Sequence, residues 1–432
     1  MSYIVISTKD YQWKKEEVKE TSSNHIDVEI NTEKVDQTIH GFGGAFTDAA
    51  SITFHSLSKA KQEEYLKDYF SSEGLGYSLG RYPLQSCDFS THSYSYINKD
   101  KQFDMSMDKE RIEFVQRALE YNPNLWLISA PWSPPAFMKD NGDMCHGGHL
   151  LPEYYDLWAQ TIVTAIKELK KNGITINCVT TQNEPEATQT WESCRYSAEQ
   201  ETKFLKDYLI PTAKKEHLDD LKYMIWDHNR DVMLKRTNEV LSFGLKQEDI
   251  YGVAYHWYDR DAFEEVKKTH NKYPTLHLLL TECCVELLCD DNSGLGSWQN
   301  GMRYAINIIK DLNNGSEGYI DWNLSLDTKG GPNHVGNYCE APLLIDSEKD
   351  EIICMPSYYI IGHFSRYLRP GFERVETTSK MGDLLVTGFK KNNRVSVVFV
   401  NENPAKTVYF KLFNKIFNIF LPENCIATFV YE

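Results

Sequence analysis

Strand-like and helix-like segments alternate eight times between Gly41 and Arg369 of this chain. The strand-like segments are short and largely apolar, and the segments between them carry apolar residues at helical spacing. Such alternation is typical of an α/β fold with a parallel sheet. Eight repeats predict a (β/α)8 TIM barrel. The predicted strands are Gly41–Phe46, Gly76–Tyr82, Leu125–Ala130, Asn177–Gln182, Lys222–Asp227, Tyr251–Trp257, Leu276–Thr281 and Gly318–Asn323.

One helix follows each predicted strand. The fourth helix is opened by Ser197 and Gln200, whose types and spacing match a capping box. The other helices are predicted at Ser51–Phe70, Asp108–Tyr121, Tyr154–Lys171, Asp231–Leu245, Asp261–His270, Ser297–Asn313 and Ser357–Arg369.

Both ends of the chain carry a different pattern, in which short strands alternate with turn residues. Neither end alone has enough strands to bury a face, so we expect the two ends to join in one β-sandwich beside the barrel. The predicted division is 1–38 for the N-terminal strands, 39–370 for the barrel and 371–432 for the C-terminal strands. The predicted strands are Tyr3–Ser7, Ile26–Ile30, Leu384–Phe389, Val395–Asn401, Thr407–Phe413 and Ile426–Tyr431.

Composition and charge exclude some classes of protein. The chain has 432 residues, of which 41% are hydrophobic, so it can bury a full core. Its formal net charge of −16 argues against a nucleic-acid partner, which requires a basic face. The first residues lack the features of a secretory signal, and no apolar run is long enough to cross a bilayer. We expect a cytoplasmic protein, or a secreted one if a leader was removed; oligomeric state is not predicted.

The cysteines and glycines do not predict a metal or cofactor site. The ten cysteines have no paired Cys-x-x-Cys spacing, which indicates free thiols. The segment from Cys145 to His149 offers too few ligands for a metal. Cys283 and Cys284 fit small barrel-filling residues better than a thiol nucleophile, since no Cys–His arrangement is evident. Gly41-Phe42-Gly43-Gly44 lacks the fingerprint of a phosphate cradle.

Polar or aromatic residues stand at almost every C-terminal strand end. In a barrel of this type the active site lies at those ends. An apolar strand whose polar residues collect at one end is difficult to explain by stability, so we interpret the set as functional. The residues are Asp48, Asp88, Trp132, Asn183 with Glu184, Asp227 with His228, His256 with Tyr258, Glu282, and Trp322 with Asn323.

Two of these strands end in a glutamate, Glu184 and Glu282, about a hundred residues apart. A carboxylate pair held about 5–5.5 Å apart performs retaining glycoside hydrolysis. Glu184 suits the acid/base and is expected to have a raised pKa, partly because of the neighbouring anion. Glu282 suits the nucleophile and must stay ionised. Candidate donors to Glu282 are Arg81, Tyr258 and His256; competing carboxylates are Glu186 and Glu286.

Eight stretches together resemble the glucosylceramidase-type members of glycoside hydrolase family 30. They occur in the family's order and span nearly the whole predicted barrel. The stretches are GFGGAFTDAAS at 41–51, RYPLQSCDFS at 81–90, SAPWSPPAFMK at 129–139, TTQNEP at 180–185, AYHWY at 254–258, TEC at 281–283, LGSWQNGMRY at 295–304 and DWNLSLDTKGGPN at 321–333.

The resemblance implies a retaining hydrolase of β-glucosidic bonds, with a β-glucoside or oligosaccharide as substrate and no cofactor. It implies Glu184 as acid/base and Glu282 as nucleophile. It further implies that the sugar is bound by Asp88, Trp132, Asn183 and Trp322, with His256, Tyr258 and Asn337 completing the pocket.

The chain departs from the lysosomal-type pattern at the rim, at Ala136-Phe137, His334 and Gly336. Because the rim meets the aglycone, the leaving group is left open. A β-1,6-glucanase or a β-xylosidase on the same scaffold is the alternative within enzymes. A carbohydrate-binding protein that has lost catalysis is the alternative from another class, although both glutamates are present.

Overall fold

The computed structural model describes residues 2–259, 261–287 and 295–432. Within these ranges, three strands precede the barrel: β1 (Ser2–Ser7), β2 (Lys14–Glu17) and β3 (Val28–Thr38). The next eight are β4 (Gly41–Ala45), β5 (Leu79–Leu84), β6 (Trp126–Pro131), β7 (Ile176–Thr180), β8 (Lys222–Asn229), β9 (Gly252–His256), β10 (His277–Glu282) and β11 (Gly318–Asp321). These eight pair in parallel with their sequence neighbours, and β11 pairs with β4. The predicted (β/α)8 barrel is therefore confirmed.

Apolar side chains fill the interior of the barrel. Strand β4 contributes glycines, which leave room for its neighbour. A Cβ at Gly43 would lie 1.9 Å from the carbonyl oxygen of Leu79, so only glycine lets β4 approach β5 this closely. The described side chains of this interior cluster are Leu79, Ile128, Cys178, Met224, Ala254, Leu279 and Ile320. This closed layer forms the floor beneath the strand ends.

The helices around the barrel lie close to the predicted positions. The single helix predicted at 51–70 is wrong, because Ser58 caps a second helix by accepting from the Lys61 N–H. The predicted capping box of Ser197 and Gln200 is confirmed. The described helices are α1 (Asp48–Ser56), α2 (Lys59–Phe70), α3 (Lys109–Tyr121), α4 (Tyr155–Lys171), α5 (Ala198–Phe204), α6 (Ile210–Lys215), α7 (Met233–Ser242), α8 (Phe263–Lys272), α9 (Trp298–Asn313) and α10 (Pro356–Ser365). None of the helices in the described ranges is long and apolar enough to cross a membrane.

The segment between β11 and α10 contains a small sheet of β12 (Ser325–Asp327), β13 (Leu343–Asp346) and β14 (Glu351–Cys354). The C-terminal strands are β15 (Glu373–Ser379), β16 (Leu385–Lys391), β17 (Arg394–Asn401), β18 (Lys406–Leu412), β19 (Lys415–Leu421) and β20 (Cys425–Tyr431). They join the N-terminal strands in one sheet of order β19-β18-β3-β15-β16-β17-β20-β1-β2. The predicted joining of both chain ends is confirmed, whereas the domain boundaries stay predictions.

This side sheet curls over and encloses its own core. Strands β18 and β20 are five positions apart in the sheet, which is about 24 Å if the sheet were flat. Nevertheless Phe410 of β18 and Phe429 of β20 lie with ring centroids only 4.8 Å apart. The inner face therefore forms a sandwich-like core separate from that of the barrel.

Candidate active site

A cavity of about 220 Å³ opens at the C-terminal ends of the barrel strands. Eight of the ten residues predicted for the site line it, and the other two, Arg81 and His256, are completely buried behind the lining. The predicted lining residues are Asp88, Trp132, Asn183, Glu184, Tyr258, Glu282, Trp322 and Asn337. The lining also contains His228, predicted as one of the polar strand ends, and Glu286, predicted as a competing carboxylate. Lining residues that were not predicted for the site are Gln189, Trp191, Asn229, Cys284 and Cys339.

The two glutamates face each other across the cavity floor. One carboxylate oxygen of Glu184, one of Glu282 and a ring nitrogen of His256 all lie within 4.8 Å of one another. The backbone of Glu184 is left-handed, with a φ of 46°, and its N–H donates to the carbonyl of Asp227 at 2.9 Å. An unusual backbone held in this way is typical of a functional site.

Two described side chains donate hydrogen bonds to Glu282. Arg81 Nη1 donates to Oε2, and Tyr258 Oη donates to Oε1 at 3.1 Å. Arg81 Nη2 also donates to Asn183 Oδ1 at 2.9 Å and to Asp227 Oδ2 at 2.8 Å. The guanidinium thus fixes Glu282 and Asn183 relative to each other.

Asp227 connects these groups, although the sequence predicted it only as one of several polar strand ends. Its carboxylate accepts from Arg81, from Thr180 Oγ1 at 2.7 Å and from Thr281 Oγ1 at 2.6 Å. It also lies 3.0 Å from His256 Nε2. Burial raises the pKa of Asp227, but the Arg81 charge and the His256 hydrogen bond outweigh burial and lower it. Asp227 is therefore a fully buried anion.

His256 lies between the carboxylates. Its Nδ1 is 3.2 Å from Glu184 Oε1 and 3.9 Å from Glu282 Oε1, while Nε2 faces Asp227. Burial lowers the pKa of His256, but the Glu282 charge and the hydrogen bonds to Asp227 and Glu184 outweigh burial and raise the pKa to about 9. At neutral pH the ring is an imidazolium that donates from both nitrogens.

The expectation of a raised pKa for Glu184 is wrong for this arrangement of side chains. Burial raises the pKa of Glu184, but the hydrogen bond from His256 and the charges of His228 and His256 outweigh burial and lower it. Burial and the Glu184 charge instead raise the pKa of Glu282, against the opposing charges of His256 and Arg81. The neighbouring anion, which was expected to raise the pKa of Glu184, is outweighed by the cationic His256 that lies between the two glutamates.

The opposite wall of the cavity combines a carboxyl group with two indole rings. Asp88 Oδ2 accepts from Asn337 Nδ2 at 2.9 Å, and Asp88 Oδ1 has no partner among the described residues. Trp132 and Trp322 stack with centroids 5.0 Å apart, and Arg81 lies 4.7 Å from the Trp132 ring. Burial and the Glu282 charge raise the pKa of Asp88. This wall offers both hydrogen-bonding and apolar faces, as a sugar ring requires.

Both competing carboxylates have cationic partners. Glu286 accepts from Arg303 at 3.0 Å and Glu186 from Arg236 at 3.3 Å. Neither belongs to the cluster of Glu184, Glu282 and His256, in which one side-chain oxygen or nitrogen of each lies within 4.8 Å of the others.

Glu184, Glu282 and His256 are the described side chains close enough together to hold a metal ion. However, a histidine ligand must offer a lone pair. Both ring nitrogens of His256 face carboxylates, and its pKa is raised to about 9. The donor set therefore favours an ion pair over metal coordination.

Comparison with known proteins identifies the family. The family description "Glycosyl hydrolase family 30 TIM-barrel domain" matches residues 39–368. The chain belongs to glycoside hydrolase family 30. Membership in family 30 makes glycoside hydrolysis the reaction class and a carbohydrate the substrate class.

Several known proteins resemble the chain along most of its length. Lysosomal acid glucosylceramidase of Mus musculus is 31% identical over 402 residues, covering 88% of this chain and 78% of that protein. The structure of SrfJ from Salmonella typhimurium has a TM-score of 0.95 at 33% identity and covers 100% of both chains. The endo-β-1,6-glucanase BT3312 has a TM-score of 0.90 at 26% identity, covering 100% of this chain and 98% of its own.

Proposed function

We propose that this family 30 protein is a retaining β-glucosidase of the glucosylceramidase type. The observation that carries the proposal is the separation of Glu184 and Glu282, whose nearest oxygens lie within 4.8 Å. Retaining glycosidases hold their carboxyl groups about 5–5.5 Å apart, whereas inverting enzymes leave about 6.5–9.5 Å for a water. The space between the pair suits direct attack on the sugar.

In the first step Glu282 attacks the anomeric carbon, the bond to the aglycone oxygen breaks, and Glu184 gives that oxygen its proton. Arg81 and Tyr258 hold the attacking carboxylate in place. In the second step Glu184 takes a proton from a water whose oxygen attacks the same carbon. Glucose leaves with its configuration retained, and Glu282 returns to a carboxylate.

The first step needs a proton on Glu184 and an ionised Glu282. His256 can supply that proton, because its Nδ1 lies 3.2 Å from Glu184 Oε1. When Nδ1 gives its proton to Glu184, the ring becomes a neutral imidazole whose Nε2 still faces Asp227. Glu184 is then the acid, and Glu282 remains the carboxylate that accepts from Arg81 and Tyr258.

Release of single glucose units fits the size of the cavity. At about 220 Å³ it is smaller than the roughly 300–1,000 Å³ that encloses a drug-sized ligand. Asp88 can accept from two sugar hydroxyls, and each lost charge-assisted hydrogen bond costs about 1.5–3 kcal/mol. Sugars that misplace those hydroxyls are expected to be rejected.

A 2-deoxy-2-fluoro glucosyl donor tests the nucleophile. It should label a peptide that contains Glu282 and inactivate the enzyme, while Glu282→Gln should be neither labelled nor active. Label on Glu286 or Cys283 would refute the assignment. A protein that binds glucosides without turning over an activated aryl glucoside would instead be the non-catalytic alternative.

An endo-β-1,6-glucanase is the second candidate, supported by the likeness to BT3312 over the whole chain. The products from β-1,6-glucan and from glucosylceramide separate the two. Glucose as the first product supports the proposal. Early di- and trisaccharides would indicate an open cleft and favour the glucanase.

A further inference from the structure

Two thiols meet in the wall of the cavity. Cys284 and Cys339 are both buried and both line it. Their sulfurs lie 2.9 Å apart, with the Cys284 S–H donating to Cys339 Sγ. An S–S bond measures about 2.05 Å, so a small movement of side chains would join them.

The backbone already holds the two cysteines side by side. Their segments run antiparallel, with a bridge between Glu286 and Cys339. The Glu340 N–H donates to the Val285 carbonyl at 2.9 Å, and Leu287 N–H donates to the Tyr338 carbonyl at 3.0 Å. Little chain entropy remains to be lost when the sulfurs join.

We propose that Cys284 and Cys339 are an oxidation site, at which a small peroxide joins them in a disulfide that stops turnover. The site is distinct from the proposed chemistry of Glu184 and Glu282. Its effect on turnover rests on the proposed function, whereas formation of the bond does not.

The reaction balances with one molecule of hydrogen peroxide. Cys339 sulfur attacks a peroxide oxygen, the O–O bond breaks, and one water leaves as Cys339 becomes a sulfenic acid. Cys284 sulfur then displaces the hydroxyl, so that the S–S bond forms and a second water leaves. The two sulfurs are oxidised, the peroxide is reduced, and both thiol protons end in water.

The local chemistry makes Cys339 the attacking thiol. The hydrogen bond from Cys284 lowers the pKa of Cys339, although burial and the Asp88 and Glu286 charges raise it overall. Burial raises the pKa of Cys284 well above its usual value. Both thiols are therefore slow to react, and the site needs a peroxide small enough to enter the cavity.

The disulfide would disturb both halves of the site. Cys284 Sγ lies 3.4 Å from Tyr258 Oη, which donates to Glu282. Asn337, two residues before Cys339, donates to Asp88. Pulling the sulfurs together displaces a donor to the nucleophile and a donor to the sugar-binding carboxyl.

The test uses the full chain, hydrogen peroxide and an aryl β-glucoside. Wild type should lose at least about tenfold in kcat/KM, about 1.4 kcal/mol, and regain it with dithiothreitol. Peptide mapping should find Cys284 linked to Cys339. Cys339→Ala and Cys284→Ala, each measured against its own reduced activity, should resist. Cys354→Ala removes a half-buried thiol on β14 and should respond like wild type.

Three results would overturn the proposal: no linked peptide, a linked peptide with unchanged turnover, or an equal loss in Cys339→Ala. If the reduced protein hydrolyses no glucoside, the proposed function fails while peptide mapping still decides whether the pair closes.

Discussion

At the residue scale, Asp227 is the group through which both glutamates are positioned. It binds Arg81, which donates to Glu282, and His256, which faces Glu184. Removing one partner of a buried ion pair typically costs about 3–5 kcal/mol, because the remaining charge stays buried. The orientation of the two glutamates therefore depends on a carboxylate that does not line the cavity.

His256 should make stability depend on pH. Its pKa is raised from 6.5 to about 9 in the folded protein, so its contribution is fully present below pH 6.5 and is lost as the pH rises through 9. The shift in pKa corresponds to about 3 kcal/mol of the free energy of unfolding. Urea unfolding of wild type should show this fall between pH 6.5 and 9, relative to His256→Gln. Parallel pH curves for the two proteins would refute the imidazolium assignment.

Glu184→Ala tests the proposed roles of Glu184 as acid/base and Glu282 as nucleophile. The variant should be slow on poor leaving groups and far less affected on dinitrophenyl glucosides, which need no protonation. Azide should restore turnover and give a β-glucosyl azide, since the glycosyl ester on Glu282 is attacked from the face that water uses. Formation of an α-azide would show that the nucleophile had been removed.

The sequence predicts most residues of the cavity but not the contacts among their side chains. Eight of ten predicted residues line the cavity because a barrel brings its strand ends together. The role of Asp227 and the low pKa of Glu184 depend on distances of about 3 Å between side chains. No local pattern encodes such distances.

At the element scale, β8 is irregular where the site needs it to be. Its register with β9 shifts between Trp226 and His228. Trp226 and Asp227 both have positive φ, at 76° and 54°. A bulge of this kind redirects a side chain at the end of a barrel strand. It places the Asp227 carboxylate between the hydroxyls of Thr180 on β7 and Thr281 on β10.

The contribution of the Thr281 hydroxyl to stability can be measured with Thr281→Val, which keeps the shape and β-branching of the side chain. It removes the 2.6 Å hydrogen bond to Asp227. The free energy of unfolding should fall by about 1.5–3 kcal/mol. Thr387→Val on β16 is the matched control, since that buried hydroxyl has no partner among the described residues. Equal losses in the two variants would contradict the importance of the Asp227 contact.

The strands of the side sheet differ in how clearly the sequence predicts them. Strand β2 is charged and wholly exposed, and β15 buries only Val375, so neither carries an apolar alternation. Strand β19 is an apolar run interrupted by Asn418, with Phe417 and Ile419 buried, and this run could have found it. The pairing of β3 with β15 and β18 joins distant segments, which no local pattern specifies.

At the scale of the whole molecule, the barrel and the side sheet have separate cores, and the second is assembled from both chain ends. Deleting residues 374–432 should yield insoluble protein, because β1, β3 and the barrel flank would lose their partners. A soluble and fully active truncation would refute this.

A gentler test of the side sheet uses two phenylalanines. Phe429→Ala should reduce the free energy of unfolding by about 3–5 kcal/mol, since this ring is fully buried. Phe420→Ala, 60% exposed in the same sheet, should change it by less than about 0.5 kcal/mol. Similar losses in both would contradict the enclosed core.

The order of strands in the side sheet also delays its completion until the strands that follow the barrel have been made. Strand β3 lacks both partners until residues beyond 372 have been made, and β1 waits for β20, which ends at Tyr431. At about 5–20 residues per second, the interval after β3 lasts on the order of tens of seconds. A chain whose synthesis stops within the barrel therefore leaves the edges of β1 and β3 without these partners.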